Sequence, residues 1–392
     1  MKCLPASKLS ESNGVAIHDW HAEVLALRSF NHFVLQECQG LATGNDTSSE
    51  FLRRRTRAEI SAQSSASDDG GSNTSWHSQP FAWRDDVTLH MYCSEAPCKP
   101  ARPFTNLASQ KLTLPGGDAS MELTMAAQDD ASPWDIPSPL TTTDSPPSTC
   151  PSHTLTAALP GRAYFSQLGV VRRKPARGDA PPTLSKSCSD KITLKQCTSL
   201  LSSLPSLLVS PHNVYLTTLI LPESQFSETA CSRCFSAEGR MRALAGRRWE
   251  GGTYRFVPFR VVTTREEFEF SKRAVAARAE RTSASNLAVA WTRDGVEEAL
   301  VGGVLQGRRQ FVLKGASAVS RRGMWKLTAE VAGMLDGEEE TRIREGLAAR
   351  TYDEVKGDAL LDGRRAVKEE VRRDALTGWI QNTGGGGFTM EA

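Results

Sequence analysis

The first apolar pattern in the chain is helical. From Asp19 to Leu35 apolar residues recur every three or four positions, which predicts an amphipathic helix with Asp19 at its N-cap or in its first turn. The next stretch, residues 41–79, is rich in Ser, Asp, Gly and Asn and includes the basic run Arg53-Arg54-Arg55. Its apolar content is too low to offset the entropy lost on ordering, so it predicts a flexible insertion.

Regular structure resumes at Phe81, and the alternation of apolar and polar residues up to Cys93 predicts a strand. A second stretch, residues 132–182, is dense in Ser, Thr and Pro and predicts another flexible insertion. Beyond it the patterns predict helices and strands in turn: a helix at Ile192–Leu208, strands at Val214–Leu221, Arg255–Thr263 and Leu287–Trp291, and helices at Met324–Met334 and Thr351–Ile380. This alternation predicts one α/β domain over residues 1–392, with helices on both faces of a sheet.

Composition narrows the class of protein. The 392 residues carry a formal net charge of only +2, so any contact with nucleic acid must come from local patches. Nine cysteines, an odd number in a long chain, favour reduced thiols and a metal site over a disulfide framework. The first residues are polar, and no stretch approaches the length of a membrane span, so we expect an intracellular protein of the cytoplasm or nucleus.

Two short motifs carry candidate chemistry. His21-Ala22-Glu23 begins the first predicted helix, and Pro97-Cys98 follows the predicted strand. His-x-Glu followed by Pro-Cys is the signature of zinc nucleobase deaminases, in which one His and two thiolates hold the metal and leave a position for water. The glutamate does not bind the metal; it transfers protons between the water, the ring nitrogen and the leaving amine.

The usual second thiolate, three positions after the first, is absent here. The next cysteine in structured sequence is Cys188, 90 positions after Cys98. A lone His-x-Glu is usually an ordinary helix, and free cysteines are mostly small buried apolar residues, which is also our interpretation of the pair Cys231 and Cys234.

Four segments together carry a resemblance: GVAIHDWHAEVLALRSF, LHMYCSEAPC, GGDASMELTM and KSCSDKITLKQ. They are similar to the catalytic domain shared by the adenosine deaminases acting on RNA and the eukaryotic tRNA-specific adenosine deaminases, fungal members in particular. The resemblance implies a cytidine-deaminase-like mixed sheet with helices on both faces, extended by a C-terminal helical part. It also implies that His21, Cys98 and Cys188 hold Zn²⁺ and that Glu23 is the catalytic proton shuttle.

The family also encloses inositol hexakisphosphate behind the zinc site, where six phosphates need many Lys and Arg donors. By resemblance the binding positions are Lys2, Asp19, Arg28, Lys191, Lys195, Tyr352, Lys356, Lys368 and Trp379, with Arg308 and Arg365 as looser candidates. The alternative is that the cations from Arg364 to Arg373 form a solvated helix face.

The implied function is hydrolytic deamination of adenosine to inosine in tRNA, at the adenosine 3′ of the anticodon of alanine tRNA. The implied partner is tRNA, with neither DNA nor membrane, and the oligomeric state stays open. Deamination of free nucleosides is disfavoured because those enzymes use the closely spaced cysteine pair. The alternative in another class is a catalytically inactive RNA-binding or scaffold protein that retains the fold.

Two departures from the family pattern stand out. The chain begins at Met1-Lys2-Cys3, where relatives have a preceding helix and strand, so we expect an N-terminally truncated form. Residues Lys99–Gly116 separate Pro-Cys from Gly-Asp-Ala-Ser, which are contiguous in relatives. Besides a flexible insertion, these 18 residues are open to a second interpretation as a translated intron, because their 54 nucleotides preserve the reading frame.

Overall fold

A computed structural model describes residues 2–44, 48–65, 76–97, 159–160, 168–174, 180–249, 253–282 and 285–390. The α-helices are α1 Ala22–Thr43, α2 Arg57–Ser65, α3 Cys188–Thr198, α4 Pro205–Leu208, α5 Glu228–Phe235, α6 Lys272–Arg278, α7 Arg321–Gly333, α8 Glu338–Leu347, α9 Tyr352–Gly357 and α10 Asp362–Asp374. The strands are β1 Leu52–Arg54, β2 Phe81–Trp83, β3 Leu89–Tyr92, β4 Leu159–Pro160, β5 Arg172–Arg173, β6 Val209–Ser210, β7 Leu216–Pro222, β8 Arg260–Thr264, β9 Leu287–Trp291, β10 Glu297–Val301 and β11 Val304–Leu305.

The sheet that positions the candidate chemistry is parallel, in the order β3-β7-β8. Its middle strand, β7, is mostly buried, which matches the apolar run that predicted it. Because all three strands run the same way, their carboxyl ends meet at one edge. The chain leaves β3 at that edge through Cys93 and Ser94 and reaches Pro97. The sheet therefore brings Pro97, the first residue of the Pro-Cys motif, close to the edge where the carboxyl ends of the strands meet.

The remaining strands form small sheets. β9, β10 and β11 make an antiparallel meander, in which Trp291 pairs with Glu297 and Leu287 with Val301. A second sheet has the order β1-β2-β6, with β1 antiparallel and β6 parallel to β2. β4 and β5 form a parallel pair. The protein is thus a mixed α/β structure, as the alternation of patterns predicts, and its described part divides its strands among several small sheets.

Three apolar clusters hold these elements together. The largest packs α1, the parallel sheet and α7 around buried Phe81, Trp83 and Trp325. A second joins the N-terminal segment to the β9–β11 meander through Ile17, and a third packs α3 against α10. No described helix is long and apolar enough to cross a bilayer.

Several predicted elements have different bounds in the structure. The helix predicted at Ile192–Leu208 is two helices, α3 and α4, because Ser199 adopts a positive φ of 59° that ends the first. The helix predicted at Thr351–Ile380 is likewise divided, since Asp358 is extended and caps the following turn through Leu360 N. The strand predicted at Leu287–Trp291 is confirmed with the same bounds.

The range 41–79, predicted as a flexible insertion, has regular structure in its described residues. It contains β1 and α2, buries Leu52, and buries Trp76, whose Nε1 donates to Leu207 O over 3.0 Å. A few apolar anchors thus suffice to place a polar segment against the core. Of the range 132–182, residues 159–160, 168–174 and 180–182 are described and contain β4 and β5. The predicted insertion 99–116 lies outside the described residues.

Candidate metal centre and active site

His21 lies at the N-terminus of α1, in the N-cap position with an extended backbone. Its Nδ1 is 2.7 Å from Asp19 Oδ1, and the same oxygen accepts from the His21 backbone N over 3.1 Å. A carboxylate can only accept, so the ring donates through Nδ1 and keeps the lone pair of Nε2. This carboxylate–histidine pairing is the usual support of a metal-ligating His.

Cys188 is the first residue of α3, whose N-cap Ser187 accepts from Asp190 N. The Cys188 Sγ lies 3.4 Å from Glu23 Oε2 and 3.2 Å from Lys174 Nζ. Burial raises the pKa of the Cys188 thiol to about 12, and the ammonium of Lys174 opposes that rise. The carboxylate from the first motif and the thiol from the last are therefore in direct contact, although 165 positions separate them in sequence.

The Pro97-Cys98 motif follows the turn after β3. Cys98 itself lies outside the described residues and directly follows Pro97, the last described residue of that turn. Cys93, at the start of the turn, is buried, and burial followed by the charges of Glu23 and Cys188 raises the pKa of its thiol. Glu23 and Cys188 act on Cys93 because the turn after β3 passes close to both residues.

A second group of possible ligand atoms, Cys3, Asp19 and His21, lies within 4.8 Å. Burial, and then the Asp19 carboxylate, raise the pKa of the Cys3 thiol to about 11. Asp19 is already held by two ammonium groups, which compete with a cation for the same oxygens. We therefore place the candidate centre at His21 and Cys188, with Asp19 supporting the imidazole.

Asp19 connects this centre to the rest of the core. Its Oδ2 accepts from Ser185 Oγ over 2.5 Å, from Lys174 Nζ over 3.1 Å and from Lys191 Nζ. Burial alone would raise the pKa of Asp19, yet Lys191, His21 and Lys174 together hold it well below its ordinary value. Asp19 is thus an ionised, buried carboxylate whose charge is shared between two lysines.

A cavity of about 380 Å³ lies beyond Lys191. Eight Lys and Arg side chains line it against two acidic ones, Asp353 and Glu369: the cations are Lys186, Lys191, Arg321, Lys356, Arg364, Arg365, Lys368 and Arg372. Burial and the neighbouring arginines lower the pKa of Lys356 to about 7. Burial, then Lys356 and Arg364, lower that of Lys368 well below its ordinary value. So many cations around one cavity require a matching anion to remain charged.

The structure brings together five of the residues predicted to bind a polyanion: the cavity is lined by Lys191, Tyr352, Lys356, Lys368 and Trp379. The looser candidate Arg365 also lines it, whereas Arg308 is exposed on the turn after β11. Arg364 does not belong to a solvated helix face, because it is buried and donates to Thr198 O over 2.7 Å.

Three predicted residues lie around this cavity without lining it. Asp19 is one contact away, through Lys191. Arg28 donates to Val319 O over 2.7 Å, and burial followed by Arg321 lowers its pKa to about 10. Lys195 donates to Leu200 O over 3.0 Å, and burial, Arg364 and Lys356 lower its pKa. Both cations contribute to the positive potential of the cavity.

Lys2 is a correction to the sequence prediction. Its Nζ donates to Leu287 O over 2.6 Å. Burial lowers the pKa of Lys2, and the carboxylate of Glu23 opposes that change. Lys2 therefore belongs to the Glu23 side of the protein, because the bridge between Cys3 and Asp19 directs the N-terminal segment there.

Sequence reasoning missed Lys174, Ser185, Lys186, Arg321, Arg364 and Arg372. Lys174 lies in a Pro-rich range whose composition predicted flexibility, and its only signal was the basic run Arg172-Arg173-Lys174. Arg321 begins α7 and Arg364 lies in the first turn of α10. Both helices also have basic residues at surface positions, so the linear pattern does not separate cavity residues from solvent-facing ones.

Comparison with known proteins identifies the family of the chain. A family model of the adenosine-deaminase (editase) domain matches residues 1–383. The tRNA-specific adenosine deaminase 1 of Schizosaccharomyces pombe is 30% identical over 388 residues, which cover 98% of this chain and 81% of that protein. The protein of the same name from Saccharomyces cerevisiae is 31% identical over 204 residues, or 52% of this chain and 40% of that protein. The chain therefore belongs to the adenosine-deaminase (editase) domain family.

Proposed function

We propose that this chain hydrolyses adenosine to inosine in tRNA, with release of ammonia, at a zinc centre held by His21, Cys98 and Cys188. The observation that carries the proposal is the 3.4 Å contact between Glu23 Oε2 and Cys188 Sγ. Lys174 supports it, because its ammonium contacts both Cys188 Sγ and Asp19, the carboxylate that holds the His21 ring. Imidazole and thiolate are ligands that Zn²⁺ prefers. The cytidine-deaminase-like arrangement of the sheet implied by the sequence is part of the same proposal.

The described residues fit a zinc ion. Asp19 fixes the His21 ring with the Nε2 lone pair available, and Lys174 donates toward Cys188 Sγ, which favours the thiolate that binds metal. When bound, Zn²⁺ lowers the pKa of water so that hydroxide is available near neutrality.

Glu23 is the proton carrier in the proposed reaction. It accepts a proton from the attacking water and delivers it to the adenine N1; it then accepts the proton of the new C6 hydroxyl and delivers it to the departing amine. Water supplies the oxygen that replaces the amino group at C6, so the products are inosine and ammonia. The position of Glu23 in the first turn of α1 suits a carboxylate, because the helix N-terminus stabilises a negative charge.

The lined cavity fits a polyphosphate, and we propose that it holds inositol hexakisphosphate. Its volume of about 380 Å³ and its excess of six cations, eight basic against two acidic side chains, suit a small, highly charged anion. The stack of Tyr352 on Phe388, with ring centroids 5.2 Å apart, supports one wall.

The tRNA substrate is proposed from the names of both relatives, and the adenosine 3′ of the anticodon of alanine tRNA from the family resemblance. That nucleotide already lies in a loop, so little base pairing is lost when it is extruded.

Incubation with alanine tRNA followed by mass spectrometry of the nucleosides tests the activity directly. Inosine should form with wild-type protein and be absent with Glu23→Ala, while the zinc content of both proteins stays at about one ion per chain. Wild-type protein that binds the tRNA and produces no inosine would favour the inactive RNA-binding alternative. Phosphorus NMR of the denatured protein should reveal released inositol hexakisphosphate.

A further inference from the structure

An exposed loop after β11 carries positive charge that neither the metal centre nor the cavity uses. This basic loop, residues 306–314, contains three exposed cations, Arg308, Arg309 and Lys314. Arg308, the looser candidate for polyanion binding, does not line the cavity. The sequence has no Asp or Glu between positions 299 and 329, and among the described residues none of the three cations takes part in an ion pair. The loop is therefore an uncompensated patch of positive charge.

The acidic residues that precede the loop in sequence do not neutralise it. Glu298 accepts from Ser317 Oγ over 2.5 Å and from Ala318 N over 3.1 Å, so its carboxylate serves the backbone turn before α7. Glu297 lies at the start of β10, where it pairs with Trp291, about 13 Å from the end that leads to β11. An anionic ligand is the partner that such a surface attracts.

Packing holds the basic loop in one conformation. Phe311 is partly buried and packs against the second apolar cluster, which joins the N-terminal segment to the meander. Its φ is 71°, a value that a bulky residue keeps only where the surrounding packing enforces it. Because the ring of Phe311 is anchored inward, the three cations are held at the surface.

Hydrogen bonds tie the basic loop to the segment that carries the candidate active site. Gln310 Nε2 donates to Gly302 O over 2.7 Å. The carbonyl of the next residue, Gly303, accepts from Ile17 N over 2.8 Å, four positions before His21. The loop thus contacts the turn that itself contacts the strand-like segment before α1.

The neighbouring strand leads to the same place. Leu287, on β9, pairs with Val301, the residue before the turn. Its carbonyl accepts from Lys2 Nζ over 2.6 Å. Burial lowers the pKa of Lys2 and the nearby Glu23 carboxylate opposes that change. The end of the meander that holds the basic loop is therefore the end that faces Glu23.

We propose that the basic loop binds the phosphate backbone of the RNA beside the adenosine being deaminated, with Arg308 and Arg309 as the phosphate contacts and Lys314 in support. This rests on the proposed function, because it assumes RNA at the Glu23 centre. A guanidinium group matches phosphate oxygens with two parallel hydrogen bonds. Such contacts fix the register of a nucleic acid without reading its sequence, so the loop positions the substrate strand.

The test uses the full zinc-loaded chain and an RNA stem-loop carrying the anticodon loop of alanine tRNA. Binding is measured by fluorescence anisotropy over a series of salt concentrations, independently of deamination. Arg308→Ala/Arg309→Ala should weaken binding at low salt by about tenfold or more. The slope of log affinity against log salt should become shallower by about 1.4, because each phosphate contact to a single strand contributes about 0.7. Arg308→Lys/Arg309→Lys, which keeps both charges, should retain most of the slope.

Arg248→Ala/Arg260→Ala is the matched control, because it removes two exposed arginines from another surface. Arg260 begins β8, at the amino edge of the parallel sheet and opposite the edge that leads to Pro97. Arg248 bridges to Arg255 in the segment before that strand. This variant should leave both the affinity and the salt slope unchanged.

Equal affinity and equal salt slope in wild type and Arg308→Ala/Arg309→Ala overturn the proposal, as does a loss of the same size in the control. The exposed Val312 and Leu313 make an anionic membrane the alternative partner, which vesicles of phosphatidylserine and phosphatidylcholine test. Vesicle binding that Arg308→Ala/Arg309→Ala abolishes, with RNA binding unchanged, assigns the loop to lipid and refutes the RNA contact.

Inosine formation is scored separately, so the two proposals fail in different ways. Wild-type protein that makes inosine while Arg308→Ala/Arg309→Ala binds RNA normally refutes the role of the loop alone. Wild-type protein that binds RNA through the loop and makes no inosine supports the loop and refutes the deaminase activity. Wild-type protein that neither binds the stem-loop nor makes inosine overturns both.

Discussion

Replacement of Asp19 by Asn is the sharpest test of the site. The wild-type carboxylate is only 6% exposed and faces the ammonium groups of Lys174 and Lys191, which are 15% and 21% exposed. Asn keeps the shape of the side chain and removes the charge, so two buried cations lose their shared partner. Breaking a buried ion pair from one side costs about 3–5 kcal/mol, and we expect a loss of that size in the free energy of unfolding.

The same substitution should act on the proposed metal site. The side-chain amide of the Asp19→Asn variant could still accept a hydrogen bond from the His21 ring, but a neutral amide supports the imidazole less than a carboxylate does. Zinc affinity, measured by competition with a chromophoric chelator, should fall about 10–100-fold. Denaturant unfolding of the zinc-loaded and zinc-free proteins separates this effect from the loss of the ion pairs.

Two further variants make the outcome decisive. Lys191→Met in the Asp19→Asn background removes one uncompensated cation and should recover part of the lost stability, which a double-mutant cycle measures. Asp86→Asn, at the exposed pair with Arg84, is the control and should be neutral. A change below about 0.5 kcal/mol for Asp19→Asn, together with unchanged zinc affinity, would refute our account of Asp19.

Three other predictions concern the cavity, the catalytic group and the insertion. Protein stripped of its polyanion should become more stable as pH rises from about 7 toward 10, because burial and neighbouring cations lower the pKa of Lys356 to about 7 and the unfolded chain then binds more protons than the folded one. Protein loaded with the polyanion should lack this rise in stability, and equal pH profiles for the two forms would contradict the prediction. Glu23→Gln should abolish inosine formation and retain zinc, and residual activity near the wild-type level would exclude the proton-carrier role. Sequencing of the cDNA should show that most transcripts lack the codons for Lys99–Gly116, and a main message that retains them would establish a genuine insertion.

The sequence predicted well those parts of the fold whose signal is local. The apolar run of β7 and the period of α1 come from burial, and the structure has both elements, although α1 runs on to Thr43, beyond the predicted end at Leu35. The breaks inside the predicted helices were harder to predict, because Ser199 and Asp358 are ordinary residues whose backbone conformations depend on the packing around them. Segment 41–79 was misleading for a similar reason: composition averages over the segment, whereas a few buried residues, among them Leu52 and Trp76, anchor it.

The residues of the candidate site likewise divide into those that the sequence could predict and those that it could not. The His-x-Glu motif pointed to His21 and Glu23, the family resemblance pointed to Cys188, and the structure brings Glu23 and Cys188 into contact. The supporting groups have no such spacing. Lys174 and Ser185 meet Asp19 only through long-range folding, 155 and 166 positions away, so no local pattern could reveal them.

The cavity and the candidate metal centre are parts of one charged system. Lys191 lines the cavity and also contacts Asp19, while Lys174 contacts both Asp19 and Cys188. An anion in the cavity attracts Lys191, Lys191 pairs with the ionised Asp19, and Asp19 holds both the His21 ring and Lys174 in place. Because each step joins buried opposite charges, removal of any one group leaves its neighbour uncompensated. Loss of the anion should therefore weaken metal binding at a centre that the anion does not itself touch.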